Sequence, residues 1–221
     1  MSKENQLPIN VMNLVPFDYK AIMELDLQFF AGAQNKVKFG LKNAHYAKIT
    51  DTGTAITFAE PVRIPGAVSL SLTPNGEIVE FPADDITYWS AGINNGYDGE
   101  MEFADIPDTF KLDILGEEID EENGVMYESA NALGSKFALL FEINGDVKAR
   151  RYVLYYCTAT RPTIASNTKQ GATVEPQTSA LTFQSRPHPY NNYIKANTTT
   201  AATTAFDNWF TTVHEKTTGA A

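Results

Sequence analysis

Apolar and polar residues alternate along most of the chain with a period near two, not the helical period of about 3.6. Val37, Phe39 and Leu41 interleave with Lys36, Lys38, Gly40 and Lys42 and lead on to Tyr46 and Ile49. This predicts a half-buried strand with Val37, Phe39 and Leu41 facing inward. Asp51-Thr52-Gly53 reads as a turn into a short strand at 55–58, and Pro61 and Pro65 bracket a connection. Residues 68–72 and 77–81 alternate on either side of Thr73-Pro74-Asn75-Gly76. Asn-Gly between alternating runs predicts a tight hairpin, because both residues tolerate positive φ. Further strands are expected at 86–89 and 97–103. Tyr88 and Trp89 are expected in the core, with a sugar-stacking platform as the alternative. A second hairpin pairs 136–143 with 147–158 across Asn144-Gly145-Asp146. It places Phe137, Leu139 and Phe141 on one side and Ala138 and Leu140 on the other. Residues 152–157 are apolar on both faces, which suits a central strand, and another strand is expected at 179–183.

Helical spacing is confined to three places. Pro107 opens one short helix that carries Phe110, Ile114 and Leu115 and stops at Gly116. Phe206, Trp209, Phe210 and Val213 predict a second amphipathic helix. Asp18 heads a third, with Tyr19, Ile22, Met23 and Leu27 on one side, inside an arm broken by Pro8 and Pro16. Methionines at 1, 12 and 23 leave the natural start open, so part of this arm could be leader or added sequence. The expected organisation is an N-terminal arm over 1–34, one β domain over 35–215 and a flexible tail over 216–221. No internal repeat of about 20–50 residues is visible, which excludes solenoids and propellers. The fold class expected is mainly β, a sandwich or open barrel with one or two short α-helices.

Composition narrows the function. A chain of 221 residues with 43% hydrophobic and 20% charged residues can bury a real core, which excludes wholesale disorder. Its most apolar early run, 21–33, is interrupted by Glu24, Asp26 and Gln28 and is too short to span a bilayer. The start lacks the order of a signal peptide, so the product is expected to be soluble and intracellular when made. A net charge of −10 argues against a protein that grips nucleic acid through its phosphates. It does not argue against one that nucleic acid must pass without sticking. Residues 77–128 hold sixteen acids and one base, Lys111, whereas bases outnumber acids in the rest. One reading is a solvated face that keeps the protein soluble. The other is self-complementary assembly, the acidic part of one copy facing the basic part of the next.

Candidate chemistry is sparse. His45, His188 and His214 fall in no metal-ligand spacing. Cys157 is alone, which excludes an internal disulfide, and its apolar strand predicts a buried, inert thiol. No serine sits in a nucleophile elbow and no glycine-rich phosphate loop precedes a helix. Asp120-Glu121-Glu122-Asn123-Gly124 hints at a calcium loop. It lacks the alternating ligands, and Ala130 stands where the closing glutamate belongs. Asp84 and Asp85 are adjacent, so on a strand they point opposite ways and make no acid–base pair. No catalytic residue, metal ligand or cofactor is therefore expected. A carbohydrate- or calcium-binding β-sandwich and an enzyme of unrecognised type stand as competing classes.

Residues 35–215 resemble the major tail protein family, the tail tube subunits of long-tailed, non-contractile bacteriophages. The resemblance is carried by Asn35-Lys36-Val37-Lys38-Phe39-Gly40-Leu41-Lys42-Asn43-Ala44-His45-Tyr46-Ala47 and by Tyr97-Asp98-Gly99-Glu100 with Ile106-Pro107-Asp108 and Leu115-Gly116. It continues in Phe137-Ala138-Leu139-Leu140-Phe141-Glu142 and Tyr155-Tyr156-Cys157. Leu25-Asp26-Leu27-Gln28-Phe29-Phe30-Ala31-Gly32 also looks like the opening of phage structural proteins. The resemblance implies a virion protein without catalysis, whose copies form hexameric rings stacked into a tube that conducts DNA during ejection. The tube of a phage-tail-like bacteriocin is the related alternative. Implied partners are further copies of itself, a tape measure protein, and tail terminator and distal tail proteins. DNA passes without specific binding and no membrane is involved. The implied location is the virion tail, after synthesis in the host cytoplasm. Within that reading Glu77, Glu80, Glu100 and Glu102 are expected to face the lumen, since each alternates with an apolar neighbour. Contacts between rings are expected from Pro74, Asn75 and Gly76, from Glu117, Glu118, Asp120, Glu121, Glu122 and Asn123, from the N-terminal arm, and from Trp209 and Phe210.

Overall fold

The alternation at 136–158 builds the centre of the fold. In the computed structural model, which describes residues 34–168 and 176–216, β10 (Phe137–Gly145) pairs antiparallel with β11 (Arg150–Ala159). Residues 137–142 are all buried, so both faces of β10 are covered. Phe137, Leu139 and Phe141 enter the larger core with Tyr46, Met101, Phe103, Phe110, Leu154 and Phe183. Ala138 and Leu140 enter a smaller one with Ala47, Val153, Tyr155, Trp209 and Val213. The two-sided division expected of this strand is the one it adopts.

β1 (Lys38–Asp51) lies along the other side of β10, and β2 (Ile56–Phe58) and β3 (Val62–Arg63) pair with its outer margin. The connection between Pro61 and Pro65 thus contains a short strand. The Asp51 carboxylate accepts the Gly53 N–H at 2.8 Å, which closes the expected turn. Val37 and Phe39 are each 56% exposed, contrary to the inward-facing expectation. β2 and β3 cover only the later part of β1, and burial begins in earnest at Ala44.

Beyond β11 come β12 (Ser179–Ser185), β7 (Tyr97–Phe103) and β4 (Ala67–Pro74). The strand order is β2-β1-β10-β11-β12-β7-β4, with β13 (Lys195–Asn197) beside the first part of β11. Leu41 near one end of this order and Leu70 and Leu72 at the other pack on the same core. The sheet therefore curls around that core, yet no backbone ladder among the described residues joins β4 to β1 or β2. This is the mainly β, open-barrel class expected. A short helix α1 (Asp108–Phe110) runs into a π-helical turn (Lys111–Leu115), opened by Pro107 and closed by Gly116 at φ 76°. It buries Phe110, Ile114 and Leu115 in the core. The terminal helix is one turn, α2 (Thr204–Asp207), followed by looser turns that carry Trp209 and Val213 inward.

The hairpin expected at Asn75-Gly76 does not form. β4 pairs with β7, Leu70 opposite Met101, because its inward leucines complete the core only beside that strand. β5 (Ile78–Ala83) pairs instead with β6 (Ile86–Gly92) in a separate two-stranded ribbon. The ribbon turns at Asp84 and Asp85, both left-handed at φ 53° and 59°, a conformation aspartate tolerates better than most residues. Asn75-Gly76 marks the ribbon's root. There the Asn75 N–H donates to the Gly96 carbonyl at 2.8 Å and the Asn95 N–H to the Asn75 carbonyl at 2.7 Å. Gly76 serves close approach, since a Cβ would stand 2.1 Å from the Ile93 carbonyl oxygen. The expected acidic loop at 117–124 likewise contains a strand, β8 (Glu118–Asp120), paired with β9 (Val125–Tyr127). The helix expected from Asp18 and the tail beyond residue 216 lie outside the described residues.

Candidate assembly surfaces

On β7 the alternation sorts charge from core. Gly99, Met101 and Phe103 are buried, while Asp98, Glu100 and Glu102 take the opposite face. The neighbours on that face are Ser69, Ser71 and Thr73 of β4 and Ala180, Thr182 and Gln184 of β12. The result is an acidic strip bordered by uncharged side chains, with no lysine or arginine opposite it in either ladder. Glu102 accepts the Ser69 hydroxyl at 2.9 Å, and Asp98 pairs with Arg186 at 3.0 Å. Asp98 belongs to the strip although it was not among the expected lumen residues. Its phase, two before Glu100, carried that signal. Glu77 and Glu80 do not join the strip, for they sit at the root and on one strand of the ribbon, a separate sheet.

The ribbon is the part of the described chain where apolar residues face outward most densely. Phe81 lies opposite Trp89 and Val79 opposite Ala91, so these four share a face. Tyr88 is 69% and Trp89 54% exposed, contrary to the expected core placement. Ile78, Phe81 and Ile86 are also exposed. The segment from Glu77 to Gly96 carries Glu77, Glu80, Asp84 and Asp85 and no base.

Two sheet margins are open. Among the described residues β4 pairs only with β7, and its Val68 is exposed. Among the described residues β1 has β10 on one side and no hydrogen-bonded strand on the other over residues 38–44, although β4 of the same chain packs near it. Unpaired backbone rows of this kind invite a strand from another molecule.

The remaining expected contact residues divide. Asp120 builds its own turn, accepting the backbone N–H groups of Glu122 at 3.1 Å and Asn123 at 3.4 Å and the Asn123 amide at 2.8 Å. That amide bond holds the carboxyl below its ordinary range. Glu118, Glu121, Glu122 and Asn123 are exposed and Glu117 is half-buried. Trp209 is 2% exposed, donates its indole N–H to the Tyr152 carbonyl at 3.2 Å and stacks on His214, so its ring is held in the smaller core of its own subunit and only its margin reaches the wall of a neighbouring cavity. Phe210 is half-buried, stacked on His45 at 4.5 Å beneath the Arg151 guanidinium. Sequence reasoning missed Glu142, whose side chain is buried between Arg151 at 2.7 Å and Lys42 at 3.1 Å. Burial alone would raise its carboxyl, but the two cations outweigh that and hold it below the usual range. Arg151 also lies over the Phe206 ring at 3.8 Å and so ties the C-terminal segment to the sheet.

Cys157 is fully buried, and desolvation pushes its thiol up to about 12. The His188 Nδ1 accepts the Tyr190 and Asn191 N–H groups, and burial lowers its pKa. Among the described residues no three histidine, cysteine or acidic side chains gather as metal ligands, and no helix is long and apolar enough to cross a membrane.

Comparison with curated proteins finds no match. Comparison with family models finds one described as phage tail tube protein, over residues 31–206. That span includes the acidic strip, the ribbon and both open margins, and the chain belongs to the phage tail tube protein family, a family of structural components of the virion tail rather than of enzymes.

Proposed function

We propose that the chain self-assembles into hexameric rings that stack into the tail tube, and that the tube conducts DNA during ejection. The observation that carries this reading is the pair of open margins. The free edge of β4 in one subunit can pair with the uncovered margin of β1 and β2 in the next, and repeating that step closes a ring without leaving an edge. Exposed Val68 on one margin and Val37 and Phe39 beside the other would be covered in the same step. Stacking then draws on exposed parts: the ribbon with its root at Pro74, Asn75 and Gly76, and the acidic turn at Glu118, Glu121, Glu122 and Asn123.

The strip of Asp98, Glu100 and Glu102 is assigned to the lumen. An acidic bore repels phosphate, so DNA slides instead of adsorbing. Glu77 and Glu80 are assigned with the ribbon to contacts between copies. A tape measure protein inside the tube and terminator and distal tail proteins at its ends are the further partners. Subunits made in the host cytoplasm end in the virion tail.

Negative-stain microscopy of the concentrated protein tests the assembly. Hollow filaments of uniform width are expected, and particles that stay solitary at every concentration would refute it. Glu100→Lys with Glu102→Lys tests the lumen assignment. Tubes should remain intact while genome delivery falls, and normal infectivity from assembled variant tubes would count against it.

A further inference from the structure

A second surface has the opposite character to the ribbon. Tyr155, Tyr193, Trp209 and His214 line an open cavity of about 430 Å³ between β13 and the C-terminal segment. Lys195 and Lys216 stand at it, and no carboxylate lines it. Both ammonium groups donate to phenols, Lys195 to Tyr97 and Lys216 to Tyr193, each at 3.0 Å. The cavity is thus aromatic within and cationic at the rim.

The ribbon matches it feature for feature. It carries four acids and no base, and it leaves Trp89, Tyr88 and Phe81 uncovered. Strands of six and seven residues give it a reach of about 20 Å. An isolated two-stranded ribbon is marginal in water until its apolar face is covered. Nothing among the described residues covers it: the rings are exposed and the cavity stands open in the same subunit. A lipid surface is a poor cover for a ribbon with acids and no bases.

We propose that the ribbon of one copy seats its Phe81 and Trp89 face in the Tyr155, Tyr193 and Trp209 cavity of a second copy, with Asp84 and Asp85 meeting Lys195 and Lys216. The contact is heterologous, since ribbon and cavity are different surfaces, so each copy both gives and receives and the chain of contacts continues. It rests on the tube reading and names which surfaces touch within it. Opposite charge selects the pairing and keeps ribbon from stacking on ribbon.

Charge exchange between full-length chains tests it. One chain carries Asp84→Lys and Asp85→Lys, the other Lys195→Glu and Lys216→Glu, with circular dichroism to show that each is folded. Each alone should lose pelletable polymer at least about tenfold, and an equimolar mixture should recover it, because each ribbon then finds an opposite cavity in the other chain. A second measurement does not depend on charge and keeps both rings: chains bearing Ala91→Cys, on the Phe81 and Trp89 face, and Thr199→Cys are mixed, assembled and oxidised, and a disulfide-linked heterodimer is expected. Reversed chains that polymerise like wild type, a mixture that stays dispersed, or assembled tubes without the cross-link would each overturn the pairing while leaving the tube reading in place. A wild-type protein that never polymerises removes the tube reading itself and this pairing with it.

Discussion

The β10–β11 centre and the β5–β6 ribbon are built from the same kinds of residue and treat them in opposite ways. In the centre Phe137, Leu139, Phe141 and Leu154 are buried on one side and Ala138, Leu140 and Val153 on the other. In the ribbon Ile78, Phe81, Ile86, Tyr88 and Trp89 meet solvent. Both regions alternate and both pair antiparallel. What separates them is coverage. The centre has strands on both margins and packed cores on both faces, whereas among the described residues the two strands of the ribbon pair only with each other and their aromatic rings stay exposed. Exposed apolar patches of this kind mark interaction sites, and this is the ground for assigning the ribbon to contacts between copies.

The comparison can be broken most strongly at the centre. Phe137→Ala removes a fully buried ring from the larger core and should cost about 4 kcal/mol, read as a lowered urea midpoint of the dispersed subunit. The root comes next. A Cβ on Gly96 would stand 2.0 Å from the Ser185 carbonyl oxygen at φ +107°, so Gly96→Ala should cost about 3 kcal/mol by the same measurement. Glu142→Gln follows, at about 2 kcal/mol at neutral pH, because Arg151 and Lys42 lose the charge they were folded around. This effect has a pH signature. The Glu142 carboxyl is held below its ordinary value of roughly 4.3. Its stabilisation is therefore fully present above that value and is lost as the pH falls through the lower folded value. The gap in urea midpoint between wild type and variant should narrow in acid, and a gap that widens there would contradict the assignment. The smallest effect sharpens the contrast: Phe81→Ser with Trp89→Ser should shift subunit stability by less than about 0.5 kcal/mol yet abolish filaments under the microscope. A large loss of subunit stability would mean that the ribbon is part of the core after all.

Much of the fold was legible. The alternating phase of β7, β10, β11 and β12 follows from side chains pointing to opposite faces at successive positions, so inside and outside could be read two residues at a time. Pro107 and Gly116 bounded the helical turn for reasons local to the backbone. The hairpin at Asn75-Gly76 was misread because turn propensity is a local quantity, whereas the partner of β4 was chosen by Leu70 and Leu72 across a core assembled from distant segments. The same limit explains Tyr88, Trp89, Val37 and Phe39. Hydrophobicity says that a side chain gains from cover, not whether its own chain supplies that cover.

Among the candidate surfaces, the acidic strip was half visible, since Glu100 and Glu102 share a phase; that Asp98 joins them was written in the same spacing. The separation of Glu77 and Glu80 from that strip was not, because it depends on the chain leaving one sheet for another at Gly76. Trp209 looked like a docking residue from its place near the C-terminus and proved to be the plug of the smaller core.

The sequence by itself determined that this protein is mainly β and acidic in its middle, because composition and alternation are properties of neighbours along the chain. Only the tertiary structure decided which strands pair, which margins stay open and which aromatic residues remain uncovered. Those outcomes depend on contacts between segments far apart in sequence, where the burial of a whole core outweighs the preference of any single turn.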